Sequence, residues 1–155
     1  MTSPTNSRRN MLTVSLAAGA ASIAGTASAA PAEEGGKGPV RVVYHITQGL
    51  PQAARAMGNV RNHLAADPTA KIVVVGNGAG VDFLLEGATD AHGAQFAGNI
   101  GDLASRGVSF RACNNTLHSR NISKDKVVLD ATVVPSGVAE VANLQFREGY
   151  AYICP

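Results

Sequence analysis

Apolar residues along this chain follow two rhythms, and the alternation between them predicts the architecture. Short strand-like runs recur at Val40–Ile46 (VRVVYHI), which is rich in β-branched residues, Lys71–Val75 (KIVVV), Val108–Ala112 (VSFRA), Leu129–Val134 (LDATVV) and Tyr150–Cys154 (YAYIC). Each is the length of a strand, and the second is apolar on both faces, as a buried parallel strand is. Between them the spacing turns helical. Gln52–Ala66 places Ala53, Ala56, Val60 and Leu64 on one face, and Ala94–Arg106 does the same with Phe96, Ile100, Leu103 and Ala104.

Punctuation sharpens these boundaries. Thr47–Pro51 reads as a turn, and Asp67-Pro68 stops the first helix because a proline ring disfavours helical geometry in the residue before it. Val81–Leu85 is a short apolar piece, and Glu86–Gly93 reads as loop. Gly107 caps the second long helix. A short helix is expected over Asn115–Arg120. The last helix starts at Pro135-Ser136, with Ser136 as N-cap, Glu140 in the first turn, and Val138, Val141, Ala142 and Leu144 on its buried side. Gly149 ends it. Strands alternating with helices predict an α/β fold, a mainly parallel sheet of five strands between two helical layers. Loops that follow the strands then gather at one sheet edge, where such folds carry their sites.

The first 39 residues stand apart. Ser7-Arg8-Arg9-Asn10-Met11-Leu12 precedes a mildly apolar, alanine-rich run from Leu12 to Ala24, and Ala27-Ser28-Ala29 is a small-x-small cleavage site. Paired arginines before a weakly hydrophobic run resemble a twin-arginine export signal, with Met11 and Thr13 departing from its usual residues. The run is too short and too rich in small residues to span a bilayer comfortably. Cleavage after Ala29 would leave residues 30–155, which begin with a linker through Pro39 and continue as one domain, 40–155. Export places that domain in the periplasm or outside the cell.

Charge excludes one class of function. Lysine plus arginine total 13 against 11 acidic residues, a formal charge of +2 that Arg8 and Arg9 account for entirely. No basic stripe with interleaved aromatics occurs, so nucleic-acid binding is not expected.

Candidate chemistry centres on Gly107–Leu117 (GVSFRACNNTL). Cys113 closes a strand, and Asn114, Asn115 and Thr116 begin a helix. A thiol at such a turn faces backbone N–H groups, which favour the thiolate, and Arg111 adds positive charge nearby. Two plainer readings stand beside this one: Cys113 as a small packing residue, and Cys113 in a disulfide with Cys154. A bridge requires their strands to be adjacent. Cys154 is also a candidate resolving thiol, from the same or a neighbouring subunit. Gly76-Asn77-Gly78-Ala79-Gly80 invites a phosphate-loop reading, but Val81 stands where a dinucleotide fingerprint needs its third glycine and no Gly-Lys-Ser/Thr follows. The loop is expected instead to line the pocket of the cysteine. His118 is a candidate proton donor beside the thiolate, and His45 is expected on the same sheet edge. No pair among His45, His63, His92 and His118 has ligand spacing, so the sequence assigns no metal and no cofactor.

Three stretches carry a family resemblance: Val73–Gly80 (VVVGNGAG), Gly107–Leu117, and Val133–Pro155 (VVPSGVAEVANLQFREGYAYICP). The first is generic, and the other two are fairly specific. In order and spacing they resemble the DsrE/DsrF-like proteins, in particular exported members, over the whole domain. The resemblance implies a three-layer α/β/α sandwich with a five-stranded sheet. It also implies trimers or hexamers, or hetero-oligomers with related subunits, and sulfur transfer through a cysteine persulfide in a sulfurtransferase-like relay. Cys113 occupies the family's cysteine-bearing turn, with Asn114, Asn115, Thr116, His118 and His45 in support. The rival expectations are a non-catalytic oligomeric scaffold and a thiol-based redox or metal-responsive protein.

Overall fold

The computed structural model describes residues 38–155. The export leader and all but the last two residues of the linker lie outside the described residues.

Five strands form one parallel sheet: β1 (Arg41–Ile46), β2 (Lys71–Gly76), β3 (Ser109–Cys113), β4 (Ala131–Val134) and β5 (Ala151–Ile153), in the order β4-β3-β2-β1-β5. The α/β reading therefore holds. Four helices connect them: α1 (Leu50–Ala66), α2 (Phe96–Ser105), α3 (Asn114–Ser119) and α4 (Gly137–Glu148). A 3-10 helix, Gly78–Leu84, follows β2. None of the described helices is long and apolar enough to cross a membrane.

Register divides each strand between two cores. Val42, Tyr44, Ile46, Ile72, Val74, Phe110 and Ala112 face the larger core, built with α1, α2 and the 3-10 helix. There Ala53, Ala56, Met57, Val60 and Leu64 of α1 meet Phe83, Phe96, Ile100 and Leu103. Phe83 stacks edge-on to Phe96 and to Phe110, with ring centroids 5.9 and 6.4 Å apart. Each large side chain buried here contributes about 1.5–3 kcal/mol. The opposite face carries Val43, Val73 and Val75, covered by Val141 and Leu144 of α4.

Several expected boundaries move for identifiable reasons. The first helix begins at Leu50, because Pro51 fits the first helical turn, where its missing N–H is not needed. The strand expected from Leu129 starts only at Ala131, and Leu129 is 98% exposed. Val138 and Ala142, expected on the buried side of the last helix, are exposed. The helix instead rests on Gly137, Val141 and Leu144, an i, i+4, i+7 row. Val138, Ala142 and Phe146 form a second row on its outer side, with Val138 61% and Phe146 91% exposed. The caps are as expected: Ser136 Oγ accepts from the Ala139 amide, and Gly107 and Gly149 adopt positive φ after their helices.

Among the described residues, Gln52 is the one polar side chain buried as deeply as the core, at 1% exposure. Its Oε1 accepts from the Thr47 and Gln48 amides at 2.8 Å each, and its Nε2 donates to the Pro155 carbonyl at 3.2 Å. One side chain thus fastens the residues after β5 to the turn after β1. Gln52→Ala should cost about 2–4 kcal/mol, from two orphaned amides and a small cavity. Urea denaturation measures it, and a loss below about 1 kcal/mol would contradict this role.

Candidate functional site

β3 and β4 are parallel neighbours, with Cys113 opposite Val134. β3 runs directly into α3, and β4 leads into α4 through Pro135 and Ser136. Two helix starts are therefore brought together at one corner of the sheet, and the Cys113 sulfur lies between them. Cys113 is both the last residue of β3 and the N-cap of α3, with extended backbone (φ −73°, ψ 113°). α4 begins two residues after Pro135, whose carbonyl accepts from the Asn115 amide at 3.3 Å and ties the two helix starts together.

Gly137, the first residue of α4, makes the close approach feasible. A Cβ there would stand 3.1 Å from Cys113 Cβ, 3.0 Å from Asn77 Cβ and 3.4 Å from Val75 Cγ1. Only a residue without a side chain brings its amide to the sulfur at no cost in packing. Burial pushes the Cys113 thiol pKa up. The Gly137 amide, the Thr116 hydroxyl and the Thr116 and Asn115 amides outweigh it, so the pKa lies below the ordinary cysteine value. The Asn115 amide is shared with Pro135, which leaves Gly137 and Thr116 as the stronger donors.

The sulfur is covered rather than open: Cys113 is 4% exposed. Its apolar side packs with Val81 and Leu117, while Val133 and Ile122 close the cluster. Arg111, expected to lend charge to the thiolate, forms an ion pair with Glu140 of α4. Its charge is matched there, and backbone and hydroxyl dipoles dominate at the sulfur.

The loop after β2 lines this corner, as expected, but three of its amides are already used. Asn77 N–H donates to the Ile46 carbonyl, Gly80 N–H to the Asn77 carbonyl, and Gly78 N–H to Thr116 Oγ1. An anion cradle needs several free amides, which this loop does not have. Its glycines serve contact instead. A Cβ on Gly80 would lie 2.7 Å from the Thr47 nitrogen and closer still to the Ile46 carbonyl.

His45 stands on the same sheet edge and the same face as Cys113, two strands away. Its Nε2–H donates to Asn77 Oδ1 at 2.8 Å, and the Tyr152 hydroxyl donates to its Nδ1 at 3.1 Å. Asn77 in turn adjoins Gly137. Burial and the neighbouring Cys154 push the Tyr152 pKa up, which keeps that hydroxyl a donor. The sequence places Asn77 only as part of the loop expected beside the cysteine, without a role for its side chain, and does not single out Gly137. Their signal was faint: an Asn and a Gly that directly follow a strand end and an N-cap.

The remaining candidates lie apart. Asn114 is half-buried at the start of α3, and His118 is exposed in its last turn. Cys154 is exposed beyond β5 and accepts from Gln52 Nε2 at 3.5 Å. Both cysteines are free. β2 and β1 stand between their strands, a separation of about 14 Å where a disulfide needs Cα atoms within about 7 Å. A bridge within one chain is excluded, and so is a resolving role for Cys154 toward Cys113 of the same chain. Among the described residues no group of three or more His, Cys, Asp or Glu side chains could hold a metal ion. A cleft of about 530 Å³, lined by Pro39, Pro68, Lys71 and Arg106 among others, opens at the opposite ends of the strands and contains none of these groups.

Comparison with known proteins agrees with the architecture. No curated protein matches the chain. Among solved structures, the protein of unknown function MTH1491 from Methanobacterium thermoautotrophicum is similar at 33% identity and TM-score 0.66, over 75% of this chain and 99% of that one. The ychN protein from E. coli shares the fold at 13% identity and TM-score 0.57, over 76% and 97%. The profile of the DsrE/DsrF-like family, which is linked to sulfur relay, matches residues 42–155. The chain belongs to the DsrE/DsrF-like family.

Proposed function

We propose that this protein is an exported sulfur carrier that holds sulfane sulfur as a persulfide on Cys113. The observation that carries the reading is the setting of Cys113, the N-cap of α3 packed against Gly137 at the start of α4, where neighbouring amides and the Thr116 hydroxyl lower the thiol pKa. In loading, the Cys113 thiolate attacks the terminal sulfur of a donor persulfide. The donor's S–S bond breaks, its thiolate leaves, and Cys113 keeps the transferred sulfur with its proton. In delivery, an acceptor thiolate attacks that terminal sulfur and Cys113 leaves as thiolate. Neither step changes the overall oxidation level. The same donors that favour the resting thiolate stabilise it as leaving group.

The Arg8-Arg9 leader supports export by the twin-arginine route, and with it work in the periplasm or outside the cell. The exposed row Val138, Ala142 and Phe146 supports assembly of several copies through the last helix. In such an assembly Cys154 of one copy is the candidate resolving thiol for another.

Polysulfide treatment followed by native alkylation and peptide mapping tests the carrier role. The added sulfur should reside on the peptide containing Cys113. Sulfur found on Cys154 alone would overturn it. One observation favours a second reading: the sulfur is nearly covered and packs with Leu117 and Val81. In that case the domain is an oligomeric binding module, and Cys113 should resist native alkylation at every pH at which the fold survives.

A further inference from the structure

Thr116 is buried, and its Oγ1 accepts a hydrogen bond from the Gly78 amide at 2.9 Å. A hydroxyl that accepts in one direction keeps a single proton to donate in another. Thr116 is the third residue of α3, whose N-cap is Cys113, so the two side chains share one helix start, and the Thr116 hydroxyl is among the groups that lower the Cys113 pKa. Gly78 is itself held in place. It sits at φ +57°, its carbonyl accepts from Arg120 Nη1 at 3.3 Å, and the same Nη1 lies 2.6 Å from Asp82 Oδ1. The two peptides that flank the Gly78 Cα are thus both held, the Asn77–Gly78 peptide through its N–H by Thr116 and the Gly78–Ala79 peptide through its C=O by Arg120. Both residues come from the segment that begins with the working thiol.

We propose that Thr116 is a positioning residue for Cys113, its hydroxyl turned toward the sulfur by the Gly78 amide, with Arg120 and Asp82 fixing the next peptide and so the Gly78 backbone that carries that amide. The inference rests on the reading of Cys113 as the reactive group, and it adds how the loop after β2 takes part. The glycine-rich loop contributes by orienting one hydroxyl rather than by binding a ligand. The role is largest in delivery, where negative charge returns to the Cys113 sulfur as the transferred atom departs. Glycine suits position 78, a residue at positive φ whose N–H and C=O must meet two partners in fixed directions.

The test is the pH dependence of native alkylation at Cys113, followed by peptide mass, in the wild type, Thr116→Val, Thr116→Ser and Arg120→Ala. Thr116→Val keeps the shape but removes the donor. Its midpoint should rise by about one pH unit, roughly a tenfold loss of thiolate at pH values below both midpoints. Thr116→Ser keeps the hydroxyl and should titrate as the wild type does. Arg120→Ala frees the Gly78 carbonyl and loosens the backbone that carries the amide, and should raise the midpoint by less. An unmoved midpoint in Thr116→Val overturns the proposal. So does a Thr116→Ser midpoint raised as far as that of valine, since the lost methyl rather than the hydroxyl would then be responsible. An unmoved Arg120→Ala removes the clamp. If valine is not tolerated, the serine and Arg120→Ala profiles decide the matter. A wild-type midpoint at the ordinary cysteine value would instead count against the parent reading, and the two failures remain distinct.

Discussion

Cys113→Ser should abolish sulfur loading and leave the domain folded. Serine is close to cysteine in volume, and its hydroxyl would meet the same Gly137, Thr116 and Asn115 amides that now face the sulfur. The change in stability is therefore about 1 kcal/mol or less. Chemistry does not survive the exchange, because an alcohol at this position is neither ionised nor able to form a persulfide. Loading should fall to whatever Cys154 takes up alone. The two residues lie at separate places on the sheet, so that background should be unchanged by the substitution. Equal loading of wild type and variant, measured by intact mass, would remove Cys113 from the mechanism.

The largest effect on folding is expected from Gly80→Ala. The added methyl would stand 2.7 Å from the Thr47 nitrogen and closer still to the Ile46 carbonyl, and both obstacles are backbone that cannot rotate away. β1 and the loop after β2 would have to separate. That would disturb the Asn77 N–H bond to the Ile46 carbonyl at 3.1 Å and the Gly78 contact with Thr116. The cost should exceed about 3 kcal/mol, a large part of the stability of an ordinary domain. Gly98→Ala is the matched control. It lies in α2, nothing would touch its new methyl, and its φ is ordinary, so it should stabilise by about 0.5–1 kcal/mol. Thermal melts of the two variants should move in opposite directions. Similar melts would show that the contact at Gly80 does not constrain the fold.

Much of this architecture was legible in the order of residues because strand and helix signals rarely conflicted. Val73–Val75 admitted little but a buried strand, and Ala53, Ala56, Val60 and Leu64 little but a helix face. The last helix was read less well. Its apolar residues lie on two rows, and periodicity cannot say which one meets the sheet. Val141 and Leu144 do, while Val138 and Ala142 do not. The position of Cys113 at a strand-to-helix turn was visible in GVSFRACNNTL. That its strongest amide comes from Gly137, twenty-four residues later in the chain, was not. That contact exists because β3 and β4 are neighbours, and strand order is a tertiary fact. The same order separates Cys113 from Cys154, which no spacing in the chain reveals.

Ionisation of Cys113 also ties reactivity to stability. Its pKa is lowered in the folded chain, so the thiolate favours folding. That contribution is full above the ordinary cysteine value and fades as pH falls through the lowered one. The rate of Cys113 alkylation in the native wild type, followed against pH by peptide mass, tests the central claim most directly. The account predicts a titration with its midpoint below that of an unperturbed cysteine. A midpoint at or above that value would contradict it.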